Sequence, residues 1–280
     1  DSKIDGLILD LRSNGGGGLD EAITMAGLFI GRNPVVVVRQ SGGRRVTVHR
    51  SREKTIFEKP VLLMLNRYSA SASEILAGAL QDYNRAVLVG DRTTFGKGTV
   101  QNIVQLPEGF GALKVTIAQF YRVSGGSTQN KGVEANIIFP SVNNVREIGE
   151  SVLENALPWR SIDSVSYSKV QNLQTILGIL NDRSKKRIEE SDFFIKTQKI
   201  SKITRRRASP LSRSNITVVH HQGDSNSNSV RPRRKKKLGR RKQRIYENNH
   251  LLNSHAFWKT FGENIGDCDY NIDFLNGFDN

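Results

Sequence analysis

Two short segments hold residue types that could perform nucleophilic chemistry, and the first is residues 66–78 (NRYSASASEILAG). Small hydroxyl residues alternate with alanine there, between the end of an apolar run and the start of a helical pattern. Ser71 would expose its hydroxyl at the carboxyl end of a strand, where the free N–H groups of a new helix favour negative charge. That place suits a nucleophile beside part of an oxyanion hole. It also suits a plain helix N-cap, so both interpretations stay open.

The second segment is residues 93–101 (TTFGKGTVQ), in which Lys97 stands between two glycines. A lysine that acts as a general base must be neutral near pH 7. Since a free lysine has a pKa of ~10.4, burial must lower it by about 3 units, at a cost of ~4 kcal/mol. Phe95 and Val100 could supply the apolar surroundings. The alternative is a lysine in a surface turn, and the glycine spacing of a phosphate-binding loop is not met.

A glycine-rich loop at residues 10–19 (DLRSNGGGGL) follows an apolar run. Such a loop can cradle phosphate or direct backbone N–H groups at an oxyanion. Asp20 stands where a dinucleotide-binding loop needs its third glycine, which disfavours a nucleotide site. Cys268 is the single cysteine, so neither an internal disulfide nor a cysteine zinc site can form. We therefore expect no metal and no cofactor.

The elements that must hold these segments form an alternating pattern of strands and helices. Nearly continuous apolar runs predict strands buried on both faces, as in parallel sheets, at residues 4–11, 60–66 and 86–90. Helical spacing appears at residues 19–30, 71–83 and 171–180, and further strands are predicted at residues 35–39, 45–49, 113–123 and 137–140. The fold class is therefore α/β, a mostly parallel sheet with flanking helices.

The three loop segments, followed by residues 120–133 (FYRVSGGSTQNKGV), resemble the carboxy-terminal processing peptidases, in particular the tail-specific protease branch. Four motifs occur in the same order and spacing, over roughly residues 1–165. The resemblance implies a crotonase-like protease core. It also implies a Ser-Lys dyad with Ser71 as nucleophile, Lys97 as general base and Gln101 orienting the lysine.

The resemblance further implies an oxyanion hole built from the glycine loop, at Gly16 or Gly17, and from the backbone N–H of Ala72. Asp82 matches an acidic position of the branch and is expected to be supporting, with a structural role open. One departure is a turn at residues 91–94 that is one residue longer than the family's, which a bulge must absorb if Lys97 is to stay in place.

The net charge of +15 is uneven: residues 1–160 hold 19 Lys and Arg against 15 Asp and Glu, and residues 161–280 hold 23 against 12. The run from Arg231 to Arg244 has ten basic residues. We expect four regions: a catalytic core (1–145), a helical C-terminal extension (146–200), a basic low-complexity linker (201–245) and an uncertain tail (246–280). No apolar run approaches the ~20 residues of a transmembrane segment.

These observations predict a serine-type endopeptidase that processes or degrades proteins recognised by apolar C-terminal tails, in the periplasm by resemblance. The family carries a PDZ domain upstream, and no PDZ-like stretch precedes residue 1, so we expect a truncated piece. The alternatives are an inactive relic that only binds peptides, or a protein that binds polyanions through Arg231 to Arg244.

Overall fold

The structure is a computed structural model that describes residues 4–43, 45–107 and 110–208. In those ranges the chain forms eight strands and four α-helices. In chain order they are β1 (Leu7–Asp10), α1 (Leu19–Ile30), β2 (Pro34–Gln40), β3 (Val46–Arg50), β4 (Val61–Leu65), α2 (Ala72–Asp82), β5 (Val87–Gly90), β6 (Thr99–Gln105), β7 (Ala112–Tyr121), β8 (Ile137–Ile138), α3 (Gln174–Glu190) and α4 (Asp192–Ala208).

A four-stranded parallel sheet in the order β1-β4-β5-β8 confirms the predicted α/β class. Its central strands are buried on both faces, as their apolar runs predict. The prediction of a fully buried strand is wrong for β1, where Leu7, Ile8 and Leu9 are only half-buried. The reason is the strand order, since β1 pairs with β4 on one side and forms the edge of the sheet.

A second sheet is antiparallel, in the order β3-β2-β7-β6. The sequence predicted β2, β3 and β7 but not β6, whose residues beyond Val100 are exposed. β6 and β7 form a long hairpin, the β6–β7 hairpin, that carries apolar side chains in contact with solvent. Phe110 is 77% exposed, Ile103 63% and Leu113 53%.

Helix α2 lies in the centre of the core, and this fixes the residues at its start. Every residue from 72 to 80 is buried, and α2 packs against α1 and the parallel sheet around Leu63, Leu80 and Leu88. A helix covered on all sides is held by packing rather than by its own propensity. The turn that leads into α2 therefore has little freedom to move.

Beyond β8 the chain is mostly irregular until α3, with two short 3-10 helices at Val142–Val145 and Glu150–Val152. Packing of the Phe139 and Phe194 rings, with centroids 5.7 Å apart, ties α4 to the end of β8. α4 continues to Ala208, past the predicted end of the helical extension. Arg231 to Arg244 and the predicted tail lie outside the described residues. None of the helices described here combines the length and apolarity that crossing a membrane requires.

Candidate active site

Ser71 stands in a strained turn between β4 and α2. Its backbone has φ 57° and ψ −118°, a region that residues with a side chain rarely occupy. Such strain persists only where surrounding structure enforces it, and it clusters at functional sites. A sharp strand–turn–helix of this kind lifts the serine hydroxyl out at the carboxyl end of a parallel sheet.

The glycine loop after β1 lies directly against Ser71. A Cβ atom built on Gly16 would be 2.8 Å from the Ser71 Cβ and 2.9 Å from the Ala72 nitrogen. Gly16 also has φ 106°, which favours glycine. The structure thus brings Gly16, Ser71 and Ala72 together, and their role as an oxyanion site stays a prediction.

The hydroxyl groups that flank Ser71 hold the two loops in register. Ser69 Oγ donates to the Leu11 carbonyl at 2.7 Å, and Ser73 Oγ donates to Asn14 Oδ1 at 2.9 Å. The Ala70 N–H donates to the Asn14 carbonyl at 3.0 Å. These alternating hydroxyl groups are structural, which leaves Ser71 as the one whose place suits chemistry.

Three backbone N–H groups are candidates for binding an oxyanion, those of Gly16, Gly17 and Ala72. The Gly16 N–H donates to Asn14 Oδ1 at 2.9 Å, so it is engaged within its own loop. Gly17 is open, with no atom within 4 Å of where its Cβ would lie. The Ala72 N–H belongs to the first turn of α2, whose N–H groups favour negative charge. Gly17 and Ala72 are therefore the better pair of candidate donors.

A single buried carboxylate, that of Glu74, joins two segments of the site. They are the turn that carries Ser71 (residues 66–71, the nucleophile turn) and the loop that carries Lys97 (residues 93–98, the lysine loop). Glu74 Oε2 accepts the N–H of Ser71 at 2.8 Å and the N–H of Lys97 at 2.9 Å. Its Oε1 accepts the N–H of Gly96 at 2.7 Å and the hydroxyl of Thr94 at 2.5 Å. One side chain thereby fixes the spacing of the two backbones that carry the predicted dyad.

The role of Glu74 was not predicted from the sequence, although the spacing of Glu74 from Ser71 offered a signal. Ser-x-x-Glu at residues 71–74 is the pattern of a capping box. Burial raises the pKa of Glu74 to about 7, while the four hydrogen bonds that it accepts act in the opposite direction. The charge of this linking carboxylate therefore changes close to neutral pH.

Lys97 is half-buried, and its backbone is also held from a second side. The hydroxyl of Thr128 donates to the Lys97 carbonyl at 3.1 Å, and the N–H of Gly98 donates to Gln129 Oε1 at 2.8 Å. In the described residues no hydrogen bond joins the Lys97 amine to the Ser71 hydroxyl. Such contacts are often long before substrate binds, so the arrangement is compatible with a base that closes onto the serine.

Gln101 lies on β6 opposite Thr116, next to a bulge between Val100 and Gln101. Its side chain is exposed, and among the residues described it makes no hydrogen bond with Lys97. Its role in orienting the lysine stays a prediction.

The longer turn at residues 91–94 is firmly anchored. The Asp91 N–H donates to the Leu65 carbonyl at 3.1 Å, and the Arg67 N–H donates to Asp91 Oδ2 at 2.9 Å. The Phe95 N–H then donates to the Ser69 carbonyl at 2.9 Å, which returns the chain to the nucleophile turn. These bonds fix the path of the chain from β5 to Phe95, and the extra residue relative to the family stays a prediction.

Asp82 lies at the far end of α2 from Ser71, about 17 Å away along the helix. Its carboxylate pairs with Arg122 through two bonds, of 2.6 and 3.0 Å, and accepts the Ser124 hydroxyl at 3.2 Å. Asp82 therefore anchors α2 to the turn after β7, in keeping with the structural role left open for it. In the part of the chain described here, no three metal-ligating side chains form a cluster.

An α/β fold with a serine at a strained strand–helix turn, beside a glycine loop, is the arrangement of a serine hydrolase. The chain belongs to peptidase family S41, which matches residues 1–139, and residues 144–257 match the C-terminal domain of tail specific protease (DUF3340). The predicted resemblance is confirmed at the level of the family.

Several named proteins are similar to parts of this chain. A tail-specific protease of Haemophilus influenzae is 47% identical over 204 residues, covering 69% of this chain and 29% of the relative. A carboxy-terminal-processing protease of Bartonella bacilliformis is 44% identical over 139 residues, covering 49% of this chain and 31% of the relative. Among solved structures, a photosystem II D1 C-terminal processing protease is 34% identical with a TM-score of 0.44, covering 49% of this chain and 35% of that one. The chain spans less than a third of the length of the two curated relatives.

Proposed function

We propose that this chain carries the catalytic residues of a serine-type endopeptidase with a Ser-Lys dyad. The observation that supports this most directly is the link through Glu74, since one carboxylate oxygen accepts the backbone N–H groups of both Ser71 and Lys97. The strained backbone of Ser71 supports the same proposal, because nothing in a plain N-cap requires φ 57°.

In the proposed reaction the neutral amine of Lys97 takes the proton of the Ser71 hydroxyl while Oγ attacks a peptide carbonyl carbon. The negative charge on the carbonyl oxygen is stabilised by the N–H groups of Gly17 and Ala72. The C–N bond then breaks, Lys97 returns the proton to the leaving amine, and an acyl-enzyme ester remains. Water, deprotonated by Lys97, hydrolyses that ester and restores the serine. Gln101 orients the lysine in this scheme.

The substrates proposed are proteins recognised by apolar C-terminal tails, which the enzyme processes or degrades in the periplasm. This part rests on the names of the relatives, a tail-specific protease and a carboxy-terminal-processing protease. It concerns a whole enzyme of which this chain matches less than a third, so the dyad and the substrate class are tested separately.

The dyad is tested by labelling the folded chain with a fluorophosphonate probe. Wild type should be labelled at Ser71, and Ser71→Ala and Lys97→Ala should both abolish labelling. Ser168→Ala and Lys169→Ala, which alter an exposed serine and an exposed lysine, are the matched controls and should label like wild type. Failure of the folded wild-type chain to react would favour the alternative, an inactive relic that binds peptides.

A second candidate function is polyanion binding, and α4 offers one observation for it. Between positions 196 and 206 it exposes five cationic side chains, Lys196, Lys199, Lys202, Arg205 and Arg206. They extend the basic character predicted for Arg231 to Arg244, which lies outside the described residues. Binding of this kind should survive Ser71→Ala and weaken steeply with salt, as measured by retention on heparin.

A further inference from the structure

Gln129 is a fully buried glutamine whose side chain lies between the lysine loop and the segment that follows β8. Its Oε1 accepts the Gly98 N–H at 2.8 Å. Its Nε2 donates to the Leu157 carbonyl at 3.1 Å and lies 3.4 Å from Glu150 Oε1. A buried amide must satisfy both its acceptor and its donors, and here the two ends serve two different parts of the chain.

The contact with the lysine loop is close on the backbone side as well. A Cβ atom on Gly98 would lie 2.6 Å from the Gln129 nitrogen and 2.8 Å from the Gln129 Cβ. The Thr128 hydroxyl donates to the Lys97 carbonyl, and the Gln129 side chain accepts the Gly98 N–H. Two neighbouring side chains therefore bind both polar groups of the peptide unit between Lys97 and Gly98. A shift of Gln129 would therefore move the backbone that carries the lysine.

The other end of Gln129 is held by residues 148–157, which we call the strap. The strap lies within the second matched region, at residues 144–257, and outside the first, at residues 1–139. The Glu150 N–H donates to the Phe95 carbonyl at 2.9 Å, and the Asn130 side chain donates to the Leu157 carbonyl at 2.9 Å. The strap thus contacts the lysine loop directly at Phe95 and through Gln129 at Gly98.

We infer that Gln129 is a positioning residue for the proposed general base, and that it transmits the position of the strap to Lys97. It rests on the proposed function, in which Lys97 must reach the Ser71 hydroxyl. Glu74 fixes the lysine loop on the nucleophile side, and Gln129 fixes it on the strap side. The distance from amine to hydroxyl depends on both, because loss of the Gln129 side chain leaves the buried Gly98 N–H without its acceptor and lets the Lys97–Gly98 peptide unit tilt about the bond from Thr128.

The test compares three variants of the whole chain. Gln129→Met keeps the length of the side chain but removes both polar ends. Gln129→Glu keeps an acceptor for Gly98, and loses the donor to Leu157 while it is ionised. Asn130→Gly is the matched control, since it removes a hydrogen bond to the same Leu157 carbonyl and, of the Gln129 side-chain contacts, only the long one of 3.5 Å from Nε2 to Asn130 Oδ1, while the bonds of Gln129 to Gly98 and Leu157 remain. Asn130 has φ 65°, which glycine adopts without strain.

Two readouts are needed, and one of them does not depend on activity. Hydrogen–deuterium exchange of the peptide around residues 95–101 should rise in Gln129→Met and stay close to wild type in Asn130→Gly. The rate of labelling by a fluorophosphonate should fall by about 100-fold in Gln129→Met, since misplacement of a catalytic group by ~1 Å costs about that much. Asn130→Gly should label within a few-fold of wild type.

Gln129→Glu adds a further readout, the pH dependence of its labelling rate, which a purely structural role would not change. When its carboxyl is protonated, Gln129→Glu regains a donor for the Leu157 carbonyl. Its labelling rate relative to wild type should therefore rise as the pH falls from 8 to 5, whereas the ratio for Gln129→Met should stay flat.

The inference is overturned if Gln129→Met folds, shows faster exchange at residues 95–101, and still labels at the wild-type rate. Equal losses of labelling in Gln129→Met and Asn130→Gly would also overturn the inference. The loss would then follow from weaker binding of the Leu157 carbonyl, which both variants share, and not from the bond between Gln129 and Gly98. If the wild-type chain does not label, the proposed function fails. In that case only the exchange data test the coupling of the strap to the lysine loop through Gln129, and unchanged exchange in Gln129→Met refutes that coupling.

Discussion

Gly16 and Ser71 approach so closely that a single added carbon on Gly16 would lie 2.8 Å from the Ser71 Cβ. Real Cβ atoms essentially never show contacts under 3.0 Å, so one of the two loops would have to move. The same added carbon would lie 2.8 Å from the Ala70 carbonyl oxygen, which is backbone and cannot rotate away. The glycine loop and the nucleophile turn are therefore fitted to each other.

Gly16→Ala should lower the rate of fluorophosphonate labelling by at least ~10²-fold, because it displaces the Ala72 N–H from the proposed oxyanion site. The matched control is Gly15→Ala, where a Cβ would meet no atom within 4 Å. Gly15→Ala should label within a few-fold of wild type. Comparable labelling of both variants would contradict the fitted contact.

Glu74 should make the stability of the chain depend on pH. Burial raises its pKa from 4.5 to about 7, so the folded state binds this proton more tightly than the unfolded state does. Its contribution is fully present below about pH 4.5 and is lost as the pH rises to about 7, by about 3 kcal/mol in the free energy of unfolding. Glu74→Gln removes this term.

Urea denaturation at pH 4.5 and pH 8 measures the effect as the difference in free energy of unfolding between wild type and Glu74→Gln. That difference should fall as the pH rises, because the contributions of the other titratable groups are the same in both proteins and cancel. Glu189→Gln, at an exposed position on α3, is the control and should give a flat difference. A flat difference for Glu74→Gln as well would show that folding leaves the pKa of Glu74 unshifted.

The ion pair of Asp82 and Arg122 should contribute to stability more than a surface pair does. The Asp82 side chain is only 7% exposed and the Arg122 side chain 20%, so removing one partner leaves the other as an unpaired, poorly solvated charge. We expect Asp82→Asn to lower the free energy of unfolding by about 3 kcal/mol. Lys185→Ala, which removes an exposed pair on α3, should cost under about 1 kcal/mol by the same denaturation assay.

Arg85 is a fully buried arginine, 1% exposed, and it binds backbone carbonyl groups. Its guanidinium donates to the carbonyls of Phe29, Phe57 and Lys59. A lysine lacks the planar fork needed to reach all three, so Arg85→Lys should lower the free energy of unfolding by about 2 kcal/mol. The exposed Arg92→Lys should change it by less than about 0.5 kcal/mol, and equal effects would refute the role of the fork.

The sequence predicted the strands and helices that are determined by a local pattern of apolar residues. Apolar runs identified β4 and β5, helical spacing identified α1 and α2, and the motif order located Ser71 beside the glycine loop. It failed for β1, because burial of that strand depends on its place at the edge of the sheet.

The residues that link distant segments were also missed. Glu74 and Gln129 act on loops well beyond their own neighbourhood, and only the folded chain shows which N–H groups they accept. A capping-box pattern hinted at Glu74. Gln129 lies in the segment of residues 120–133 that carried part of the family resemblance, but nothing in that segment predicts its contacts with Gly98 and Leu157.

The β6–β7 hairpin bears on how copies of the chain behave in solution. Phe110, Ile103 and Leu113 present apolar surface to water, which attracts neighbouring copies, while the net charge of +15 repels them. Repulsion reaches about 30 Å at 0.01 M salt but only about 8 Å at 0.15 M. The colloidal balance therefore shifts toward association as salt is added, so the chain should be more soluble in dilute buffer than at physiological ionic strength.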